Sequence, residues 1–234
     1  MSKANPIGLS SNSWHHRRST SKCLRGVNIA SKCRSKVLQA HLYMLNNTDE
    51  VIPYIDAHKT IVKANNPRQA RNGMEHNRTF IPWFKDEVLK DSTTSESLTW
   101  LVAELNFDVI SCTTYEVNNC IFYTKSMDEK STVQNSGVTL EAESMQFSTL
   151  KDTNHVLGSM AYYGFIEDIW EVDYTKFFVP VFKCKWINNK SGVKIDESGF
   201  TLLDIRKIRY RDDPFIMVQQ PSQVFYVKDP TSEH

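Results

Sequence analysis

Two stretches of alternating residue types, Tyr162–Tyr174 and Phe178–Trp186, constrain the fold of this chain more than any other sequence feature. Side chains alternate between the two faces of a β-strand, so a period of two predicts half-buried strands with one face toward a core. In the second stretch, the pattern predicts that Trp186 points into the core while Lys183 and Lys185 point to the other side. One face of the first stretch is predicted to hold Ile166, Trp170, Val172 and Tyr174.

Short strands are also predicted around these two stretches. No amphipathic helix separates the strands beyond Phe107, which favours an antiparallel arrangement over a parallel α/β sheet. We therefore predict a β-rich domain over residues 107–230, built as a small antiparallel β-barrel-like domain of the SH3-like or sandwich kind. The other predicted strands are Asp108–Val117 and Ile121–Lys125, with a turn at Asn118–Asn119, then Val138–Glu143, Phe200–Ile208, Phe215–Val218 and Val224–Val227.

The residues before this domain have helical rather than strand periodicity. Apolar residues recur at three- and four-residue spacing, and Asn, Pro and Ser residues supply start and stop signals. We predict a short N-terminal helical region over residues 36–104, which gives the chain an α+β fold. Its four helices are predicted near Ser35–Leu45, Pro53–Asn65, Phe80–Leu89 and Leu98–Val102.

The amino-terminal segment is strongly basic. Residues 1–36 hold eight basic side chains and no acidic one, although the whole chain has 28 Lys and Arg against 27 Asp and Glu. Too few apolar residues are present to compensate for ordering entropy, so we predict a disordered basic leader over residues 1–35. Such a leader is a solvated tail, a nuclear-import or phosphate-binding arm, or an organelle transit peptide. The residues proposed for import or phosphate binding are Arg17, Arg18, Lys22 and Arg25.

The composition argues against membrane and secreted proteins. No run approaches the roughly 20 apolar residues that a membrane-spanning helix needs. The first residues also lack the apolar segment of a secretory signal. The five cysteines are odd in number and sparsely placed, so we expect reduced intracellular thiols and not a disulfide framework.

The residue types that carry enzyme chemistry form no recognisable catalytic pattern. A metal site for phosphoryl chemistry needs three or more converging carboxylates, whereas alternation spreads Glu167, Glu171 and Asp173 along one face. The eight glycines are scattered and form no phosphate-binding loop. We therefore predict no catalytic residue, no metal site and no cofactor, which means that the protein is not an enzyme.

Basic residues near the carboxyl end form the strongest candidate binding surface. The segment Arg206–Arg211 holds four cations and an aromatic residue in six positions. Together with lysines on a neighbouring strand, these cations would follow a phosphate backbone. Alternatively, Asp212 and Asp213 neutralise them locally. The candidate nucleic-acid contacts are Lys183, Lys185, Arg206, Lys207, Arg209 and Arg211.

The aromatic residues of the same strands allow a second kind of binding site. Rings near acidic residues can form a cage for a methylated lysine. We expect most of these rings to be core residues, which would leave no cage. The rings in question are Tyr162, Tyr163, Trp170, Tyr174 and Trp186.

Several apolar blocks of the β region follow one another in the order of a known family. The longest block reads YYGFIEDIWEVDY, from Tyr162 to Tyr174. The other blocks are Val181–Trp186, Gly199–Asp204, Asp213–Ile216 and Gln223–Val227. With these blocks, residues 162–228 resemble the plant domain of unknown function at the carboxyl end of CACTA-type (En/Spm) transposon and transposase-like proteins.

Upstream segments are similar to the linker region that precedes that domain in the same proteins. They are Glu50–His58, Glu75–Phe80, Phe122–Lys125 and Lys130–Val138. In such relatives the acidic catalytic residues of a transposase lie upstream of the matching region, so the resemblance implies a derivative without the nuclease part. The family assigns no catalytic or binding residue to the matching region.

The resemblance implies a non-enzymatic accessory or interaction module of a transposon-derived plant protein. The partners that it implies are DNA, chromatin or another transposon-encoded protein, with no membrane and no small-molecule substrate. We expect the protein in the nucleus, or in an organelle if the leader is a transit peptide. The alternative functions are a transposon remnant without binding activity and an accessory to a metal-dependent nuclease.

Overall fold

The computed structural model describes residues 21–65, 73–91, 93–103, 105–146, 156–211 and 213–227. Its helices are α1 (Arg34–Asn46), α2 (Ile52–Asn65), α3 (Met74–Lys90), α4 (Glu96–Ala103) and α5 (Lys125–Asp128). Its first strands are β1 (Lys22–Arg25), β2 (Asn28–Ser31), β3 (Asp108–Cys112), β4 (Thr114–Val117), β5 (Cys120–Tyr123) and β6 (Gly137–Gln146). Then come β7 (Val156–Asp173), β8 (Phe178–Ile187), β9 (Val193–Ile195), β10 (Thr201–Leu203), β11 (Ile208–Arg209), β12 (Phe215–Met217) and β13 (Ser222–Gln223).

The four predicted helices are confirmed as α1 to α4, although their ends differ. Ser95 caps α4, because its hydroxyl oxygen accepts the backbone N–H of Leu98 at 3.3 Å. The helix α3 begins earlier than the apolar periodicity indicates. Its first turn is stabilised by an ion pair of 2.6 Å between Glu75 and Arg78, which an apolar pattern does not reveal. None of the helices in the described residues has the length and apolarity needed to span a membrane.

The long strand β7 is the centre of the main sheet. It has 18 residues and pairs antiparallel with β8, with β6 on its first half and with β3 near its end. The strand β2 pairs outside β3, and both β11 and β12 pair with the outer edge of β8. A smaller sheet is formed by β1, β4 and β5, and β9 pairs with β10 as a separate hairpin.

An open sheet, covered on both faces, takes the place of the predicted small β-barrel. The helices cover one face of the sheet. Met44 of α1 and Phe80 of α3 lie in one core with Trp170 of β7. The smaller sheet covers the other face through Tyr115 and Phe122. Because other elements bury both faces, the sheet need not close on itself, and the described strands form no closed barrel. The fold is α+β, with helices on the amino-terminal side and antiparallel sheets.

A β-bulge at Glu167 interrupts the alternation of β7. Ile166 pairs with Cys184, and the register shifts before Asp168. One inserted residue reverses which side chains point to each face of a strand. Ile166 consequently lies in the core under the smaller sheet, whereas Trp170 lies in the core under the helices. The predicted common face for these two residues is therefore wrong.

The strand β8 confirms the predicted inward position of Trp186, which is only 5% exposed. Val179 and Val181 are also buried, because the helices cover their side of the sheet. Lys183 and Lys185 lie on that same side by alternation, with 20% and 45% of their side chains exposed.

Three predicted strands differ from the observed ones. Thr113 separates β3 from β4, which pair in different sheets, so Asp108–Val117 is not one strand. The turn at Asn118–Asn119 is confirmed, with left-handed φ values of 49° and 65° that suit a tight hairpin. Phe200–Ile208 is broken because the Asp204 carboxylate accepts a backbone N–H two residues later and forms a turn. The segment Val224–Val227 follows β13 without forming a strand.

Part of the predicted disordered leader is a pair of strands. Over residues 22–31, β1 pairs with β4 of the smaller sheet and β2 pairs with β3 of the main sheet. Edge strands offer unpaired backbone groups, so this pairing does not depend on apolar side chains in the leader. The prediction of disorder is therefore wrong for these residues, which include Lys22 and Arg25. Arg17 and Arg18 lie outside the described residues.

Cys23 of β1 and Cys112 of β3 form a disulfide, with their Cα atoms 6.0 Å apart. The expectation of five reduced thiols is wrong for this pair. The two cysteines are 89 positions apart in the sequence, so their spacing gives no sign that two strand edges bring them together. Cys33, Cys120 and Cys184 are not in disulfides.

Gly164 of β7 allows a close approach of β8. A Cβ at this position would lie 2.7 Å from the carbonyl oxygen of Lys185 and 2.8 Å from Cε3 of Trp186. We expect Gly164→Ala to lower the free energy of unfolding by about 1–3 kcal/mol, because the added methyl overpacks the two strands. Urea denaturation measures this loss.

A substitution at a glycine with free space around it is the control for the Gly164→Ala experiment. Gly73 has no atom within 4 Å of a Cβ built on it, and its φ is 64°. Asn tolerates this left-handed conformation, so Gly73→Asn is expected to change stability by about 0.5 kcal/mol or less. Equal losses in the two variants would contradict the steric explanation.

Candidate nucleic-acid interface

A cleft forms at the outer edge of β8, between β11 and β12. Arg209 pairs with Trp186, and Phe215 pairs with Lys183, so five residues between the two short strands lie opposite two residues of β8. The described residues of the segment 210–214 must therefore leave the plane of the sheet. Its end is attached by a hydrogen bond of 2.7 Å from the Cys184 N–H to the Pro214 carbonyl.

The cleft has a volume of about 340 Å³, and cations dominate its walls. Three of its lining residues are uncharged and not aromatic, of which Ile208 is half-buried and Cys184 and Pro214 are buried. Glu167 is the carboxylate of the lining, and Tyr210 is its aromatic residue. The lining cations are Lys36 of α1, Lys183 and Lys185 of β8, and Arg209 and Arg211. This excess of positive charge makes the cleft suitable for an anionic ligand.

The bulge residue Glu167 binds both lysines of β8. Its carboxylate lies 2.6 Å from Nζ of Lys183 and 2.9 Å from Nζ of Lys185, and Asp168 lies 3.4 Å from Lys183. Burial raises the pKa of the Glu167 carboxyl, but hydrogen bonds from the two lysines outweigh it, so the pKa lies below its usual value. Burial lowers the pKa of Lys183, but the hydrogen bonds and charges of Glu167 and Asp168 together outweigh it, so the pKa lies above its usual value. Glu167 and Lys183 are therefore both charged near neutral pH.

Two of the six predicted nucleic-acid contacts lie outside the cleft. Arg206 and Lys207 both pair with the Asp204 carboxylate, at 3.2 Å and 3.6 Å. Lys207 also donates a hydrogen bond of 3.0 Å to the carbonyl of Ser191. The structure therefore divides the basic segment Arg206–Arg211 into a pair that is held by Asp204 and a pair that lines the cleft.

The cleft pair, Arg209 and Arg211, is exposed and forms no ion pair with any described carboxylate. Asp213, which was the predicted local counter-charge, is described and makes no ion pair with them, and Asp212 lies outside the described residues. The carboxylates that pair with the other cations of this region are Glu167 and Asp204. The two arginines can thus bind an anion without first breaking a described ion pair.

Tyr210 lies between these arginines in a left-handed backbone conformation, with a φ of 61°. This conformation is unusual for a large side chain and is found preferentially at functional sites. The ring meets Tyr162 edge to face, with centroids 5.7 Å apart, and the Arg209 guanidinium lies 5.8 Å from its centroid. The Tyr210 carbonyl accepts the N–H of Asp213 at 3.0 Å. Tyr210 thus lines the cleft, while its half-buried ring also packs against the core under the smaller sheet.

The proposed aromatic cage does not exist as one site. Trp170 and Tyr174 are buried in the core under the helices, whereas Trp186 is buried in the core under the smaller sheet. Tyr162 packs against this second core. These rings lie on opposite faces of the main sheet, and the expectation that most of them are core residues is confirmed.

The search for metal ligands gives no candidate in the described part of the chain. There, no group of three or more His, Cys, Asp or Glu side chains is close enough to hold a metal ion. Glu167, Glu171 and Asp173 instead have separate partners: Glu167 pairs with Lys183 and Lys185, Glu171 accepts a hydrogen bond from Tyr115, and Asp173 accepts one from Asn106.

Two charged lining residues of the cleft were not among the predicted contacts. Lys36 is on α1 and reaches the cleft from a helix 147 positions before Lys183 in the sequence. Glu167 was read as part of an exposed acidic face, because alternation does not indicate a bulge. The sequence contains no local signal for either position.

Comparison with known proteins gives one finding. A family model described as a domain of unknown function (DUF4216) matches residues 170–234. The matched segment includes β8, β11 and β12 and thus four of the five lining cations. No curated protein and no solved structure matches the chain. The prediction of a domain of unknown function in this region is confirmed, and its association with plant transposons stays a prediction.

Proposed function

We propose that this chain is a non-enzymatic binding module that holds nucleic acid by its phosphate backbone. The observation that carries the proposal is the convergence of five cations on one cleft from three separate parts of the sequence. Charge at a cleft is concentrated, and a nucleic acid gains affinity by releasing counterions for each phosphate that a cation neutralises.

The internal ion pairs leave hydrogen-bonding capacity for a ligand. An ammonium group has three donors, and Lys185 uses one of them on Glu167. Arg209 and Arg211 make no described ion pair, and an arginine binds phosphate with a planar fork of N–H groups. The lysines therefore supply fixed positive charge, while the arginines supply most of the direct contacts.

An aromatic ring among cations favours nucleic acid over an acidic protein as the partner. Nucleic acids offer both phosphates and flat base faces, whereas acidic peptides offer carboxylates alone. The resemblance to domains of transposon proteins supports the same kind of partner. In this proposal the chain is a transposon-derived plant protein that acts in the nucleus on DNA or chromatin, with another transposon-encoded protein as a further partner.

Two double variants test the role of the cleft. Arg209→Ala with Arg211→Ala removes two cleft cations, and Arg206→Ala with Lys207→Ala removes two cations held by Asp204. Both variants lose the same charge. We expect the first to weaken binding of random-sequence DNA by about 10-fold or more and to flatten the log–log salt dependence by about 1.5–2. The control variant should bind nearly as the parent does.

Fluorescence anisotropy at several salt concentrations, with single-stranded and duplex DNA, provides the measurement. Equal losses in the two double variants would mean that net charge alone matters and would contradict the cleft. Binding of polyglutamate as tight as that of DNA would point to an acidic protein partner. DNA cleavage in the presence of magnesium would support the nuclease-accessory alternative, and no binding to either form of DNA would support the remnant alternative.

A further inference from the structure

We infer that the cleft selects single-stranded nucleic acid and that one base stacks on Tyr210. This inference rests on the proposed function and specifies the ligand of the same site. It follows from the shape of the cleft, from the conformation of Tyr210 and from the distribution of charge around the ring.

The shape of the cleft suits one nucleotide better than a duplex. Its volume of about 340 Å³ is at the lower end of the range for sites that enclose a small molecule. A duplex is convex and keeps its base faces stacked inside, so it would contact only the rim. A single strand can place one unstacked nucleotide between β8 and the lining residues Tyr210 and Arg211.

The conformation of Tyr210 places its ring at the cleft before any ligand binds. Its left-handed φ of 61° is retained by the hydrogen bond from Asp213, and the contact with Tyr162 fixes the ring edge to face. A ring that is already ordered loses little side-chain entropy when a base stacks on it. Stacking on tyrosine is the usual way in which proteins bind single strands without reading their sequence.

The charges around Tyr210 match a base with its phosphates. Arg209 and Arg211 flank the ring in sequence and are exposed, so they can contact the phosphates on either side of a stacked base. The half-buried side chain of Ile208 adds an apolar surface to the cleft, which suits the weakly polar face of a base. A phosphate alone would use the cations but not this surface.

The experiment compares strands and ring variants in the full chain. The probes are a labelled oligothymidylate of about 12 nucleotides and a duplex of equal length, each measured by anisotropy at the same salt concentrations. We expect the parent to bind the single strand about 10-fold more tightly than the duplex. Heparin, which has charge but no bases, should compete less well than the single strand at equal charge.

Tyr210→Asn removes the ring and keeps a residue that tolerates a left-handed φ. We expect it to weaken single-strand binding by about 10-fold, to weaken duplex binding less and to leave the salt slope unchanged. Tyr210→Phe should bind as the parent does. The arginine double variant should instead weaken binding of both forms and flatten the salt slope.

The outcomes separate this inference from the proposed function. Equal affinity for the two forms, or a single-strand affinity that Tyr210→Asn does not change, overturns the inference and leaves nucleic-acid binding in place. No salt-dependent binding to either form overturns both. The strand preference of the parent chain decides the question even if Tyr210→Asn does not fold.

Discussion

Trp186→Ala is expected to lower the free energy of unfolding by about 3–5 kcal/mol. The indole is 5% exposed and belongs to the core between the main sheet and the smaller sheet. Its neighbour across the strand pair is Gly164, which has no side chain that could move into the cavity. Because small domains are stable by only about 5–15 kcal/mol, this loss removes a large part of the total.

An exposed aromatic residue is the matched control for this change. Phe200 is 69% exposed, next to the hairpin strand β10, and Phe200→Ala should change stability by about 0.5 kcal/mol or less. Urea denaturation, followed by circular dichroism, measures both variants. A Trp186→Ala protein as stable as the parent would show that this ring does not pack as the structure places it.

Residues that are neighbours in the sequence were enough to predict several strands, helices and turns. The alternation in Phe178–Trp186 predicted the buried position of Trp186, because a strand without a bulge keeps its period of two. Helical periodicity among a few neighbouring residues likewise predicted α4. The Asn118–Asn119 turn followed from residues that accept a left-handed conformation.

Features that depend on distant pairings were not predictable in this way. Whether a sheet closes into a barrel depends on what covers its faces, and the helices that cover it are a separate part of the sequence. The leader strands β1 and β2 are ordered by the edges of two sheets, not by their own composition. The Cys23–Cys112 disulfide follows from the same pairing.

The candidate site was predictable in its chemistry but not in its geometry. Clustered basic residues identified four of the five cleft cations. The register of β11 and β12 on β8 decides that Arg209 and Arg211 line a cleft while Arg206 and Lys207 do not. Register is a property of the strand pairing, and no spacing within the six-residue segment reveals it.

A change from pH 7 to pH 5 is expected to lower the free energy of unfolding by about 2 kcal/mol through His41 alone. This imidazole is 3% exposed, and its Nδ1 lies 2.6 Å from the Tyr174 hydroxyl. Burial lowers the pKa of His41 to about 4 in the folded chain, from an ordinary value of 6.5. Burial also lowers the pKa of His58, so its effect has the same sign.

The direction of this effect follows from proton binding in the two states. Above pH 6.5, His41 is neutral in the folded and in the unfolded chain, and the full stability is present. Below it, the unfolded chain binds a proton that the folded chain does not, so stability falls with pH. The loss levels off near pH 4, where the folded chain also binds the proton, and it then amounts to about 3 kcal/mol.

The variant His41→Asn isolates this contribution. An amide at position 41 cannot titrate but retains a polar group that can hydrogen-bond to Tyr174. Urea denaturation of parent and variant at pH 7 and pH 5 gives four free energies of unfolding. We expect the parent to lose about 2 kcal/mol more than the variant over this interval. Equal losses would mean that His41 takes up its proton as readily in the folded chain as in the unfolded one. That result would contradict its burial against Tyr174.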